Sequence, residues 1–212
     1  MTHDPALLDN RATAGDVVRV LCKAFADYPV MRYVLGERPP YPERLRTLIG
    51  FFHSARVLRE DAILGVSDGK ALVAVALCSL PDRVDPPELD LLAERTWAAL
   101  GADARARYDD CVRAWDSTGV DEPNIHVNML AVVPGRQGRG LARVLLERVH
   151  AMSRERADSR GVTLSTESEP NVALYRHLGY RVVGRATIAA GVETWDFFRP
   201  DDGPAWGRAA GM

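Results

Sequence analysis

The residues best placed for chemistry are Pro134-Gly135-Arg136-Gln137-Gly138-Arg139-Gly140-Leu141-Ala142. An apolar run, Ile125 to Val133, precedes them, and a helical apolar stripe follows. The start of a helix leaves backbone N–H groups without partners and carries the positive end of the helix dipole. Glycine admits left-handed backbone angles and lets a ligand approach those N–H groups closely. Arg136, Arg139 and Arg143 add positive charge. The combination is an anion cradle, suited to a pyrophosphate. It is not a P-loop, because no Lys-Ser or Lys-Thr follows the glycines. It departs from the dinucleotide fingerprint too, since Arg143 stands where the third Gly or Ala belongs. The alternative is a glycine-rich turn that binds nothing.

The flanking elements follow from periodicity and punctuation. Leu141, Val144, Leu145, Val149 and Met152 form one stripe of a helix predicted over 138–157. Ile125–Val133 and Val162–Glu167 read as strands on either side of it. Asn171–Leu178 reads as a short helix, followed by strands at 180–185 and 193–199. Upstream, Thr13 with Asp16 predicts a capping box, opening a helix with Val17, Val20, Leu21, Ala24 and Phe25 on one face. That helix is expected to stop near Tyr28-Pro29, because a residue before proline avoids the helical region. A second helix carries Leu45, Leu48, Ile49, Phe52 and Ala55. Ile63–Ser67 and Ala71–Leu80 pair about a turn at Asp68-Gly69. Residues 88–116 read as helical with a break at Gly101, and residues 1–12 as a short strand with a loose lead.

With these elements in place, two segments resemble the signatures of the GNAT superfamily of N-acetyltransferases. Gln137-Gly138-Arg139-Gly140-Leu141-Ala142 is similar to the first, [QR]-x-x-G-x-[GA]. Asn171-Val172-Ala173-Leu174-Tyr175-Arg176-His177-Leu178-Gly179-Tyr180 is similar to the second, N-x-x-x-[YF]-x-x-x-G-[FY]. Ala24 to Pro29 and Leu164 to Tyr180 also resemble the puromycin N-acetyltransferase subgroup. The resemblance implies an α+β, three-layer fold: a central mixed, mostly antiparallel sheet flanked by helices and splayed between the strands at 125–133 and 162–167. One such domain would span 1–200, with a helical insertion at about 86–116 and a flexible tail at 201–212.

The resemblance further implies acetyl-CoA as cosubstrate and no metal. The pantetheine arm is expected along backbone groups of Leu130, Ala131 and Val132, and the pyrophosphate on the amides of Gln137, Gly138, Arg139, Gly140, Leu141 and Ala142. A backbone N–H near Leu130 would polarise the thioester carbonyl. Tyr175 matches the family's general acid, protonated at neutral pH with an ordinary pKa of about 10. Asn171 is expected to hold the cofactor arm or to cap the helix it begins. For the base, the subgroup carries Leu-Glu-Thr where this chain has Leu164-Ser165-Thr166, so Glu167, two residues on and on the same strand face, becomes the candidate. Asn128 stands where relatives carry His or Glu, and His126 shares its face. Tyr28, Trp97, Tyr108 and Trp115 are available to an aromatic acceptor pocket, and Asp27 to a cationic acceptor.

Composition narrows the classes. Apolar residues are 47% and charged residues 26%, ordinary for a globular chain. A net charge of -2 gives no general attraction to nucleic acid or an anionic membrane. No apolar run reaches the roughly 20 residues of a spanning helix, and no secretory leader is evident, so a cytoplasmic location is expected. Cys22, Cys78 and Cys111 have no zinc-type spacing and read as free thiols. The expected activity is transfer of acetyl to a primary amine of a small molecule by a monomer or homodimer. The alternatives are an acyl-CoA-binding module without transferase activity and an acetyltransferase for protein amino termini or lysines.

Overall fold

A computed structural model describes residues 6–8, 13–81 and 83–202. In chain order the elements are β1 (Ala6–Leu7), α1 (Ala14–Phe25), α2 (Pro29–Leu35), α3 (Tyr41–Leu58), β2 (Ile63–Asp68), β3 (Ala71–Ser79), α4 (Glu88–Leu100) and α5 (Ala102–Asp116), followed by β4 (Ile125–Val132), α6 (Leu141–Glu155), β5 (Gly161–Thr166), α7 (Glu169–His177), β6 (Arg181–Ile188) and β7 (Val192–Pro200). The strands form one sheet in the order β1-β2-β3-β4-β5-β7-β6. Only the β4–β5 pair is parallel. The mixed, mostly antiparallel sheet agrees with the sequence-based expectation.

Alternation along the strands gives the sheet two apolar faces. On one, Val75, Leu77 and Met129 pack with Val17, Leu21, Leu48, Ile49 and Trp97 from α1, α3 and α4. On the other, Ala76, Val127, Leu164 and Phe197 pack with Leu141, Leu145 and Val149 of α6 and Tyr175 of α7. No helix among the described residues is long and apolar enough to cross a membrane.

Several boundaries differ from those read in the sequence. Pro29 does not merely end a helix; it opens α2 from the first turn, where a missing N–H costs nothing and the fixed φ is already helical. No side-chain hydrogen bond caps α1 at Thr13, and Asp16 pairs with Arg19 at 2.9 Å instead. The tight turn is Gly69-Lys70, one residue later than expected, with Asp68 still paired to Ala71. The first long helix after the glycines begins at Leu141, not at 138. Residues 203–212 of the expected tail lie outside the described residues.

The sheet opens at its centre. β4 and β5 pair only at Ile125↔Val162, His126↔Thr163 and Val127↔Leu164, although both strands continue. The β3–β4 register shifts there: Leu77 faces Met129 and Cys78 faces Val127, so Asn128 is an extra residue in β4. Such a bulge bends its strand. β5 meanwhile stays with β7 through Ser165↔Asp196 and Thr166↔Trp195. The two halves of the sheet therefore diverge into a wedge.

Candidate active site

One wall of the wedge is the free edge of β4. The Val133 N–H donates to the Val73 carbonyl at 3.0 Å. Antiparallel alternation then turns the backbone groups of Ala131 and Met129 towards β3, and those of Leu130 and Val132 into the wedge. An extended ligand arm can add to that edge as a further strand. Of the three residues expected to pair with such an arm, Leu130 and Val132 present their backbone, while that of Ala131 is engaged by β3.

Beyond the strand, Gly135, Gly138 and Gly140 have φ of 83°, 73° and 77°. A Cβ at any of them would meet no atom within 4 Å, so backbone angle rather than crowding requires glycine. Among the described residues, no protein acceptor takes the N–H groups of Gln137 to Ala142. These donors sit at the start of a 15-residue helix, in open space. The residues thus fit a pyrophosphate. Arg136 is anchored to Asp68 at 2.8 Å, which ties the loop to the β2–β3 turn.

Below the loop, a cleft of about 460 Å³ runs through the wedge. Tyr175 lines it from α7. The side chain is 7% exposed, with its ring 5.4 Å from Phe197 and 6.1 Å from Tyr180. The hydroxyl has no hydrogen-bond partner among the described residues. Burial, reinforced by the charge of Glu167, pushes its pKa up, so it holds its proton at neutral pH. Gly179 ends α7 at φ 79°, and the Tyr180 N–H returns to the Tyr175 carbonyl at 3.0 Å. This closing turn explains the Gly-Tyr pair that ends the second signature.

Glu167 follows the last residue of β5 and lines the same cleft. Its Oε1 accepts from Trp115 Nε1–H at 2.9 Å and from the Thr194 hydroxyl at 2.8 Å. Its own N–H donates to Tyr28 Oη at 2.9 Å. Burial raises the carboxyl pKa, against the opposing effect of those donors. Tyr28 Oη also lies 3.0 Å from Thr166 Oγ1, which accepts from Asn171 Nδ2 at 3.2 Å. Asn171 is therefore not the helix cap; Ser168 holds that position and α7 starts at Glu169. Asn171 instead laces the first turn of α7 to the end of β5, and it lines the cleft.

The other sequence candidates separate cleanly. His126 contacts Thr163 at 3.0 Å, and burial, helped by Arg56 and Arg83, pushes its pKa down to about 4. Asn128 is held by Arg56 at 2.6 Å and by Ser79 at 2.8 Å. Tyr28, Tyr108 and Trp115 line the cleft, whereas Trp97 is core, 4.9 Å from Tyr108. Asp27 sits on the surface, paired with Arg32. Sequence reasoning missed Asp196, a buried carboxylate on β7 that lines the cleft and accepts from the hydroxyls of Ser165 and Thr118. Only the strand register brings these together. Gly184, opposite Asp196, leaves room for Thr118, because a Cβ there would stand 2.5 Å from the Thr118 Cβ.

Residues 116–197, the span holding β4, the glycine loop and Tyr175, match the acetyltransferase (GNAT) domain family. Solved structures share the architecture. An acetyltransferase from Corynebacterium glutamicum, described as histone acetyltransferase HPA2 and related acetyltransferase, is 21% identical; the alignment covers 97% of this chain and 98% of that one at a TM-score of 0.71. The polyamine N-acetyltransferase of Drosophila melanogaster is 18% identical, with 94% and 100% covered and a TM-score of 0.59. Arylalkylamine N-acetyltransferase 2 of Aedes aegypti is 15% identical, with 95% and 100% covered and a TM-score of 0.59. The fold is the GNAT fold.

Proposed function

We propose that the protein transfers acetyl from acetyl-CoA to a primary amine of a small molecule by direct attack within the wedge. The observation that carries this reading is Tyr175: a buried residue whose protonated hydroxyl has no hydrogen-bond partner among the described residues and lines the cleft that also holds the Glu167 carboxylate. Acetyl-CoA would supply an activated acetyl group. The N–H groups of residues 137–142 would hold its pyrophosphate, and the edge at Leu130 and Val132 its extended arm. Leu130 N–H is turned to the side where a thioester oxygen could be stabilised.

Glu167 is positioned to take a proton from the incoming ammonium, directly or through water. Its raised pKa makes it a better base than an ordinary surface carboxylate. Tyr175 is positioned to give its proton to the departing sulfur. Asn171 keeps α7 in register with β5, and so keeps the acid in place. The aromatic wall of Tyr28, Tyr108 and Trp115 favours a small acceptor over a peptide. The likeness of residues 24–29 and 164–180 to the puromycin subgroup, and the amines named in two of the structural matches, support the same class of acceptor.

The test is release of free CoA thiol from acetyl-CoA with a panel of amines and short peptides. Release with small amines supports the reading. Acetyl-CoA binding without release across the panel would leave an acyl-CoA-binding module.

A further inference from the structure

The charge balance of the cleft specifies its acceptor more closely. Three carboxylates line it among the described residues, Asp116, Glu167 and Asp196, of which Glu167 and Asp196 lie within the wedge. Neither forms an ion pair with any cation among the described residues. Both are instead held by neutral donors: Trp115 and Thr194 on Glu167, and Ser165 and Thr118 on Asp196. Burial, the larger effect, raises the pKa of both carboxyls, and these donors oppose it by favouring the ionised form. Among the described residues the one arginine lining the cleft, Arg56, is already matched by the buried Asp61 at 3.4 Å. His126 is neutral at pH 7, and Asp116 adds a third, exposed carboxylate to the lining.

The spacing is set by the sheet. Glu167 bonds Thr194, and Thr194 lies two residues from Asp196 on β7, on the same face. Two residues of strand separate Thr194, which holds Glu167, from Asp196 by roughly 7 Å along β7. Apolar and aromatic side chains, Leu164 and Trp115 among them, complete the wall. Tyr175, a residue 7% exposed whose hydroxyl has no hydrogen-bond partner among the described residues, independently marks the cleft as open to a ligand.

We infer that the acceptor carries two cationic nitrogens separated by a short apolar spacer, one nitrogen meeting Glu167 and the other Asp196. Resting on the transfer reading, the nitrogen at Glu167 is the one acetylated, and Asp196 acts as a specificity determinant that holds the second. The ammonium at Glu167 loses one proton to that carboxylate, the neutral nitrogen attacks the thioester carbonyl, and the carbon–sulfur bond breaks with its electron pair going to sulfur; sulfur takes the Tyr175 proton, and the second N–H proton, lost as the amide forms, returns to the Tyr175 oxygen.

The probes are 1,4-diaminobutane, n-butylamine and 4-aminobutanoate, which share a primary amine on a four-carbon chain and carry at the far end an added ammonium, no further group and a carboxylate. Calorimetry on the full chain with CoA bound measures affinity, and thiol release measures kcat/KM. The diamine is expected to bind at least about tenfold tighter than n-butylamine, with 4-aminobutanoate weakest. Asp196→Asn should collapse the diamine-to-monoamine ratio towards one. Equal affinity for diamine and monoamine in the wild type, a comparison needing no variant, would overturn the inference. So would a ratio unchanged in a folded Asp196→Asn protein. Diamine selectivity in binding without thiol release would keep the dicationic ligand and refute transfer. Efficient release with n-butylamine matching the diamine would keep transfer and refute the dication.

Discussion

Replacing Glu167 by Gln tests the base with little disturbance of its setting. Gln keeps a carbonyl oxygen for Trp115 Nε1–H and the Thr194 hydroxyl, the two donors on Glu167 Oε1. The N–H to Tyr28 Oη is backbone and is unaffected. What disappears is the negative charge and the capacity to take a proton. Loss of a positioned general base lowers turnover by about 10²- to 10³-fold, or about 3–4 kcal/mol in the barrier. Stability should move the other way. Burial raises the Glu167 pKa, so the native state binds its proton more tightly than the unfolded chain does. That contribution is present below the ordinary carboxylate value and is lost as pH rises through the raised one. Glu167→Gln is therefore at least as stable as wild type at neutral pH, and its stability changes less with pH across that window. The assays are steady-state thiol release and urea melts at a series of pH values. Turnover within threefold of wild type would remove Glu167 as the base, and a clear loss of stability at neutral pH would contradict the upward shift of its pKa by burial.

Three further outcomes follow from the same geometry. Gly140→Ala places a Cβ at φ 77° with no steric neighbour; the expected cost is about 1–2 kcal/mol, read as at least fivefold weaker acetyl-CoA binding by calorimetry, and unchanged affinity would detach the loop from the cofactor. Arg56→Ala strands Asp61, whose side chain is 0% exposed; denaturation should show a loss of about 3–5 kcal/mol, largely recovered in the double variant with Asp61→Ala, and a loss below about 1 kcal/mol would refute the pairing. His126 lies near pKa 4, so His126→Gln should leave any inflection of the rate profile between about pH 6 and 8 in place; its disappearance would make His126 the titrating group.

The glycine-loop half of the candidate site was legible in the sequence because its determinants are local. Three glycines, a strand before them and a helical stripe after them fall within about thirty residues, and their φ angles and periodicity are fixed there. Tyr175 was legible for the same reason, through the spacing from Asn171 to Tyr180. The half lined by Glu167 and Asp196 was not. Trp115 meets Glu167 across 52 positions, and Thr118 meets Asp196 across 78, contacts that only the strand register and the packing of α5 create. The cap and start signals also misled where two readings competed. Pro29 reads equally as the end of one helix or the first residue of the next, and Asn171 is a good cap displaced by Ser168, which takes an extended backbone ahead of Pro170. The bulge at Asn128, which opens the wedge, has no marker in composition or spacing.

The most direct measurement of the central claim is thiol release by Tyr175→Phe beside wild type, with acetyl-CoA affinity measured on both. The substitution removes one oxygen that has no hydrogen-bond partner among the described residues, so the ring packing on Phe197 and Tyr180 should persist. The account predicts acetyl-CoA affinity within about twofold and turnover reduced by about 10²- to 10⁴-fold. Full turnover by the variant would contradict it.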